Sequence, residues 1–226
     1  MPSLGPSLIH ALLAQPMSGE AIEAASLATI DREAPAHGFT PDQWAVARRL
    51  VHTSADFALL GDLRFHGEAV AAGIEALRAG APIYADANMI RSGLSLARLR
   101  AVNPSYGPAA LHCHVADPEV AESARHAGLP RSLFALRKAR PALDGAIVAI
   151  GNAPVALLEL NRMIAEEGLR PALVLGFPVG FVHVVESKEE LLGLDVPAIV
   201  LRGRRGGSPL AVAAVHALAI LAREAR

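Results

Sequence analysis

The 226-residue sequence predicts an α/β fold built on a doubly wound, mostly parallel sheet, with additional helices at its N-terminal end. Short runs rich in apolar and β-branched residues alternate with longer Ala- and Leu-rich stretches. This alternation is typical of β-α-β units. Three of the runs are apolar almost throughout, as expected of strands that helices cover on both faces. We therefore expect right-handed crossovers between neighbouring parallel strands.

Five strands are expected, at residues 81–86, 109–115, 146–150, 172–177 and 198–202. Helices are expected between and after them, at residues 118–127, 154–167 and 209–223. The last helix is apolar nearly all round, which predicts burial on several sides. No internal repeat or linker divides the sequence. We expect one domain over residues 1–226, with residues 1–19 at its periphery.

The N-terminal part contains a clear helix start. Thr40 is a suitable N-cap, Pro41 fits the first helical position, and Gln43 completes a capping box. We expect this helix to continue to about residue 60. Arg49, His52 and Asp56 would then share one of its faces. The pattern alone leaves a solvated polar stripe and a functional face both open.

Composition excludes some classes of protein. Lys and Arg total 21 against 22 Asp and Glu, a net charge of -1, which argues against a general nucleic-acid binder. Arginines still cluster locally, so a pocket for a small anion is compatible with this balance. The single cysteine, Cys113, excludes an internal disulfide and fits a reducing compartment. With no signal peptide or spanning segment visible, we expect a cytoplasmic protein without membrane association.

The segment at residues 176–188, GFPVGFVHVVESK, is unusually rich in special residues. Pro178 and Gly180 end the preceding strand, and the segment leads into a helix. Open α/β proteins bind ligands where strands end and helices begin. We expect the segment to form one wall of a binding site, with Ser187 as a direct donor. Glu186 is assigned to capping the helix or orienting an arginine.

The motif His112–Cys113–His114 raises the question of a metal site, because alternate residues of a strand share a face. Zinc requires at least three protein ligands, and the sequence places no third. A core strand with satisfied histidines is the favoured interpretation. Cys113 is then a small buried hydrophobe.

Several blocks, in this order, resemble the precorrin-8X methylmutase family of cobalamin biosynthesis. They are IEAASL from Ile22, RLVH from Arg49, DANMIRSG from Asp86, GNAP from Gly151, PVGFVHVVESK from Pro178 and RGRRGGS from Arg202. A single tetrapeptide would be weak evidence, whereas ordered blocks over most of the chain are specific.

The resemblance implies a flavodoxin-like fold and a cytoplasmic homodimer. It also implies an isomerase that moves a methyl group from C-11 to C-12 of precorrin-8, giving hydrogenobyrinate. In the cobalt-containing series, cobalt-precorrin-8 would give cobyrinate. The resemblance implies no organic cofactor and no protein-bound metal. We expect dimer contacts to complete the substrate pocket.

The family's catalytic histidine corresponds to His52, and its substrate-contacting serine and arginine correspond to Ser26 and Arg49. Arg131 belongs to another recurrent block. Imidazole titrates near neutrality, so His52 could protonate the macrocycle and ease the methyl shift. Asp56 could orient His52 or hold its charge.

The substrate carries many carboxylates, and backbone N–H groups at helix starts together with arginine side chains suit them. The candidate amide donors are Gly151, Asn152, Gly206, Gly207 and Ser208. The candidate cations are Arg49, Arg131 and Arg202. Gly180 and Asp86 are further candidates, with Asp86 ambiguous between the site and helix capping. The spacing of a phosphate loop is absent, which argues against a nucleoside triphosphate.

Two alternatives stay open. One is a corrinoid-binding protein without chemistry, although the stretch from Asp62 to Gly67 has the wrong spacing for the Asp-x-His-x-x-Gly motif. The other is a relative of the same fold that acts on a different tetrapyrrole. The bulky pair Val184–Val185 motivates this second alternative.

Overall fold

The computed structural model describes residues 7–224, which divide into two compact units, one ending at Ala36 and one beginning at His37. The first unit contains helices α1 (Ile9–Ala14) and α2 (Gly19–Glu33). Ser18 caps α2 by accepting the N–H of Ala21 through its side chain. Residues 1–6, the start of the stretch expected to be peripheral, lie outside the described residues. The single-domain organisation stays a prediction.

The second unit is built on a six-stranded sheet with the order β1-β6-β5-β4-β2-β3. Its strands are β1 (Leu63–His66), β2 (Ile83–Ala85), β3 (Leu111–His112), β4 (Ile147–Ile150), β5 (Leu173–Gly176) and β6 (Ala198–Leu201). All neighbouring pairs are parallel except β1 and β6. If the parallel strands β2 to β6 are renumbered 1 to 5 along the chain, their order in the sheet, read from the β3 edge, is 2-1-3-4-5. This is the strand order of the flavodoxin-like fold. The mostly parallel, flavodoxin-like sheet is therefore confirmed.

The expected number of five strands is wrong, because the antiparallel edge strand β1 was missed. Its sequence, LRFH, contains Arg64 and His66, and only Leu63 is buried. An edge strand pairs on one side only and needs no continuous apolar run, so it left no clear signal. The other five strands lie within their expected ranges, and each is shorter than expected.

Helices cover both faces of the sheet. They are α3 (Pro41–Ser54), α4 (Ala69–Ala79), α5 (Asn88–Gly93), α6 (Leu96–Val102), α7 (Pro118–Ala127), α8 (Arg131–Ala139), α9 (Pro154–Glu167), α10 (Val184–Leu192) and α11 (Ser208–Glu224). The three helices expected at residues 118–127, 154–167 and 209–223 are confirmed as α7, α9 and α11. Val148 and Val174 pack in one core cluster with residues of α8 and α9, whereas α4 and α11 contact β5 from the other face.

Helix α3 begins as expected but ends early. Thr40 and Gln43 form the predicted capping box in both directions. The helix ends at Ser54, because Ala55 adopts a left-handed conformation with φ 53°. Asp56 therefore lies outside the helix, where it accepts the N–H of Ala58. The prediction that Asp56 shares a helical face with His52 is wrong.

Helix α11 is the central helix of its face. It packs against α3, α4, α5 and α6 and against strands β4 and β5. Ten of its residues are buried, so its nearly uniform apolar character reflects burial within this chain. Burial on several sides is therefore confirmed. Among the described residues, no helix is long and apolar enough to cross a membrane.

Candidate active site

The order of the parallel strands reverses between β2 and β4, and Asp86 lies at this point. Its carboxylate is fully buried and accepts the N–H groups of Gly151 (2.9 Å), Asn152 (3.0 Å) and Ala153 (2.7 Å). Burial raises the pKa of Asp86, and the hydrogen bonds from these amides oppose that rise. Asp86 therefore holds the backbone of residues 151–153, directly before α9, from within the protein. The prediction that the amides of Gly151 and Asn152 face a ligand is wrong.

The loop after β6, at residues 202–207, carries three arginines, and internal contacts occupy two of them. Arg202 binds Glu189 through two hydrogen bonds of 2.7 Å each. Arg205 binds Asp56 at 2.5 Å and Asp62 at 2.7 Å. Both guanidinium groups already hold carboxylates of this chain. Arg202 is partly exposed in this ion pair, so its role as a cation facing the substrate stays a prediction. Asp56 binds Arg205 rather than His52.

Lys188 binds the backbone of the loop at residues 202–207 from the protein interior. Its side chain is fully buried and donates to the carbonyl oxygens of Gly203 (2.9 Å) and Arg205 (2.7 Å). Burial lowers its pKa to about 8. Lys188 thus fixes the backbone of the arginine-bearing loop.

Two neighbours of Lys188 differ from expectation. Ser187 is fully buried and donates its hydroxyl to the carbonyl oxygen of Val184 at 2.9 Å, so its predicted role as a direct substrate donor is wrong. Glu186 is exposed in the first turn of α10. Its side chain makes no hydrogen bond among the described residues, so the capping and arginine-orienting roles are not found.

The loops after β5 and β6 are joined through their backbones. Gly207 donates to the carbonyl oxygen of Phe177 at 2.8 Å, and Gly180 donates to that of Arg204 at 3.2 Å. A Cβ on Gly206 would lie 2.2 Å from the carbonyl oxygen of Phe177. Glycine at 206 is therefore required by the packing of one loop on the other, not by the approach of a ligand.

The side chains of the loop after β5 point an apolar surface outward. Phe181 is 81% exposed and Val182 is 70% exposed. The guanidinium of Arg204 lies over the Phe181 ring, 5.3 Å from its centroid. Val184 is buried, so of the bulky pair only Val185 can face a ligand. That the segment at residues 176–188 forms a wall of the binding site stays a prediction.

A crevice of about 270 Å³ opens at the start of α11, the helix that directly follows the loop after β6. It is lined by Arg49, Thr53, Met89, Arg98, Ser208, Pro209, Val212, Ala213 and His216. Met89 follows β2 and Ser208 follows β6, so the crevice lies at the carboxyl edge of the sheet, where open α/β folds bind ligands. It presents two guanidinium groups and two hydroxyl groups. No Asp or Glu is among its lining residues.

The structure brings together two of the predicted site residues, Arg49 and Ser208, in this crevice. His52 lies one turn beyond Arg49 on α3, is partly buried, and adjoins Thr53 in sequence, but it is not a lining residue. Arg131 is exposed at the start of α8 and does not line the crevice either. Ser26 lies on α2 in the first unit. The functional roles of His52, Arg131 and Ser26 stay predictions.

Arg98 and His216 were missed by sequence reasoning. Nε2 of His216 accepts the N–H of Ser95 at 3.0 Å. Burial, reinforced by Arg98 and Arg49, lowers the pKa of His216 to about 4. Thr53 could have been found from its position four residues after Arg49. Arg98 and His216 belong to no motif block, and only tertiary packing brings α6 and α11 to the crevice.

Among the described residues, no group of three His, Cys, Asp or Glu side chains could hold a metal ion. Nδ1 of His114 lies 2.9 Å from Oδ2 of Asp117, which also binds Lys138. Cys113 is a buried free thiol, and burial raises its pKa. The prediction that it is a small buried residue is confirmed.

The fold and crevice define a flavodoxin-like α/β protein with a cationic site at the carboxyl edge of its sheet. The model of the precorrin-8X methylmutase family matches residues 21–221. Cobalt-precorrin-8 methylmutase of Leptospira interrogans is 42% identical over 90% of this chain and 94% of its own length. Precorrin-8X methylmutase of Pseudomonas aeruginosa is 44% identical over 89% and 95%.

Solved structures give the same result. The crystal structure of precorrin-8X methylmutase from Thermus thermophilus has a TM-score of 0.83 and 47% identity, covering 92% of this chain and 98% of that one. The chain therefore belongs to the precorrin-8X methylmutase family, whose members are isomerases of cobalamin biosynthesis. A non-catalytic corrinoid carrier is not favoured. The stretch from Asp62 to Gly67, which was compared with the corrinoid-binding motif Asp-x-His-x-x-Gly, contains the edge strand β1.

Proposed function

We propose that this isomerase moves a methyl group from C-11 to C-12 of precorrin-8 or cobalt-precorrin-8, giving hydrogenobyrinate or cobyrinate. One observation supports this most strongly: Arg49 lines a cationic crevice one helical turn before His52, at the carboxyl edge of the sheet. Family membership supplies the reaction, and the crevice supplies donors for a substrate fringed with carboxylates.

His52 is the proposed proton donor. A methyl shift round a conjugated ring is easier when the ring is protonated, because electron density is drawn away from the migrating carbon. A positioned acid contributes about 10²–10⁴-fold to such a step. Asp56 does not orient His52, because it binds Arg205 instead. His52 lies on a helix that is capped at its start and packed against α11, so the backbone that carries its side chain is held in place.

Binding of the macrocycle is proposed to combine charge and apolar contact. Arg49 and Ser208 would meet carboxylate arms at the crevice. The exposed apolar side chains of Met89, Phe181 and Val182 offer a surface for the ring face. Ser26 and Arg131 are proposed as further substrate contacts on the strength of the family resemblance.

An isotope experiment tests the proposed reaction. Precorrin-8 labelled with ¹³C in the migrating methyl group is incubated with the purified protein, in parallel with the cobalt-containing substrate. We expect the NMR signal to move to the C-12 position at unchanged mass, since the reaction is an isomerisation. The faster of the two substrates identifies the natural series. If neither label moves while the protein binds cobalamin tightly, a carrier function replaces the proposed one.

We also propose that the protein works as a cytoplasmic homodimer. The family resemblance supports the dimer, and the single free thiol of Cys113 is compatible with a reducing compartment. Sedimentation at assay concentrations measures the oligomeric state. A fully active monomer would contradict the proposal that dimer contacts complete the substrate pocket.

A further inference from the structure

The crevice is too small to hold a four-ring macrocycle. Its volume is about 270 Å³, whereas sites for drug-sized ligands alone span roughly 300–1,000 Å³. The crevice therefore suits one peripheral arm of the substrate. Its chemistry indicates which kind of arm, because two guanidinium groups line it and no carboxylate does.

His216 adds a directional donor to these charges. A backbone N–H can only donate, so the hydrogen bond from Ser95 at 3.0 Å requires an unprotonated Nε2. The proton of the neutral ring is then on Nδ1, which makes Nδ1–H the donor that this ring offers. The pKa of His216, lowered to about 4 by burial and by Arg98 and Arg49, keeps the ring neutral near physiological pH.

The charged groups around His216 come from two helices. Arg49 lies on α3 and Arg98 lies on α6, while α5 contributes the uncharged Met89 and α11 contributes Ser208 and Val212. Arg98 has no carboxylate partner within residues 7–224, so its charge is available to a ligand. Two cations and a neutral ring donor form a site for an anion with two oxygens.

We infer that the crevice binds one carboxylate arm of the macrocycle, with Arg98 and Arg49 as its cations and His216 Nδ1–H as a hydrogen-bond donor. The inference rests on the proposed function and extends it, since it assigns two further binding residues and a substituent class. Arg98 distinguishes a carboxylate from a carboxamide, because an amide carries no charge, whereas the Nδ1–H of His216 can donate to an oxygen of either group.

Calorimetric binding of two ligands tests this inference. One is the reaction product with free carboxylates, and the other is the same product with every carboxylate converted to a carboxamide. Arg98→Gln should raise the Kd of the acid product about tenfold to hundredfold and leave the Kd of the amide product unchanged. Arg125→Gln, on the exposed face of α7, is the matched control and should change neither.

Two further variants keep the test decisive. His216→Met leaves a weak sulfur acceptor near the N–H of Ser95 and supplies no donor, so the Kd of the acid product should rise about fivefold to tenfold. If Arg98→Gln does not fold, Arg98→Lys carries the test, with a smaller loss because the charge is kept and the guanidinium fork is lost.

The outcomes separate this inference from the proposed function. If Arg98→Gln weakens both products equally, or neither, the carboxylate site is wrong even when the wild-type protein converts precorrin-8. If the wild-type protein neither converts precorrin-8 nor binds its product, the proposed function itself is wrong. ¹⁵N NMR of the His216 ring provides a direct check, with protonated Nδ1 and unprotonated Nε2 expected at pH 7. The opposite tautomer would contradict the inferred donor.

Discussion

The carboxylate of Asp86 accepts the backbone N–H of Gly151 at 2.9 Å across the point where the strand order reverses. This hydrogen bond, with those from the next two amides, joins the end of β2 to the start of α9. In many open α/β proteins the corresponding helix start binds a ligand anion. Here an internal carboxylate binds these amides, and the crevice proposed to bind the substrate lies to one side, lined by residues of α3 and α11.

Asp86→Ala should lower the free energy of unfolding by about 2–4 kcal/mol, because three N–H groups, two of them buried, would lose their acceptor. The loss is smaller than a simple sum, since removing a buried charge also removes its desolvation cost. Urea unfolding followed by circular dichroism measures it. Asp144→Ala is the control, because Asp144 accepts one exposed N–H, that of Arg170. Equal losses in the two variants would contradict the account of Asp86.

Lys188 predicts a dependence of stability on pH. The folded protein releases this proton near pH 8, whereas the unfolded chain keeps it to about pH 10.5. Between these values the unfolded state binds more protons, so stability should rise with pH. Below pH 8 both states are protonated and the cost of burying the charge is present in full.

Urea unfolding of the wild-type protein and of Lys188→Met, across pH 8 to 10.5, isolates this contribution. The difference in unfolding free energy between the two proteins should change in favour of the wild type as pH rises. A difference that is constant over this interval would show that Lys188 has an ordinary pKa in the folded protein.

Gly206→Ala should disturb the two joined loops. The added Cβ would lie 2.2 Å from the carbonyl oxygen of Phe177, so one backbone must move. Overpacking of this kind costs about 1–3 kcal/mol. Gly107→Ala is the control, because nothing lies within 4 Å of its Cβ position and its φ is negative. Thermal unfolding compares the two, and similar melting temperatures would contradict the proposed loop contact.

Arg49 and Arg202 should respond differently to the same substitution. Arg49→Gln removes a crevice cation, so KM should rise about tenfold. Arg202→Gln breaks a partly exposed ion pair with Glu189, which should cost no more than about 1 kcal/mol of stability and leave KM nearly unchanged. Steady-state kinetics with precorrin-8 distinguishes them. A larger increase of KM in Arg202→Gln would instead support Arg202 as a substrate contact.

Local sequence signals predicted most of the fold. The capping box of Thr40 and Gln43 located the start of α3, and nearly continuous apolar runs located three of the five parallel strands. The end of α3 was not predictable, because it is set by the left-handed conformation of Ala55, and alanine rarely adopts a positive φ. The edge strand β1 was missed because a strand that pairs on one side needs no continuous apolar run.

The candidate site was only partly predictable, for a physical reason. Motif blocks identify residues but do not say whether their polar groups face a ligand or the protein. Ser187, Arg202 and Asp86 all turn out to bind groups of this chain. Conversely, Arg98 and His216 reach the crevice through the packing of α6 against α11, which joins residues far apart in sequence.

The rate of methyl migration in a single turnover, with enzyme in excess over precorrin-8, tests the central role of His52 most directly. His52→Ala should slow the step about 10²–10⁴-fold while binding the product with unchanged Kd. His126→Ala, an exposed histidine of α7, serves as control and should match the wild type. A wild-type rate in folded His52→Ala would contradict the proposed acid catalysis.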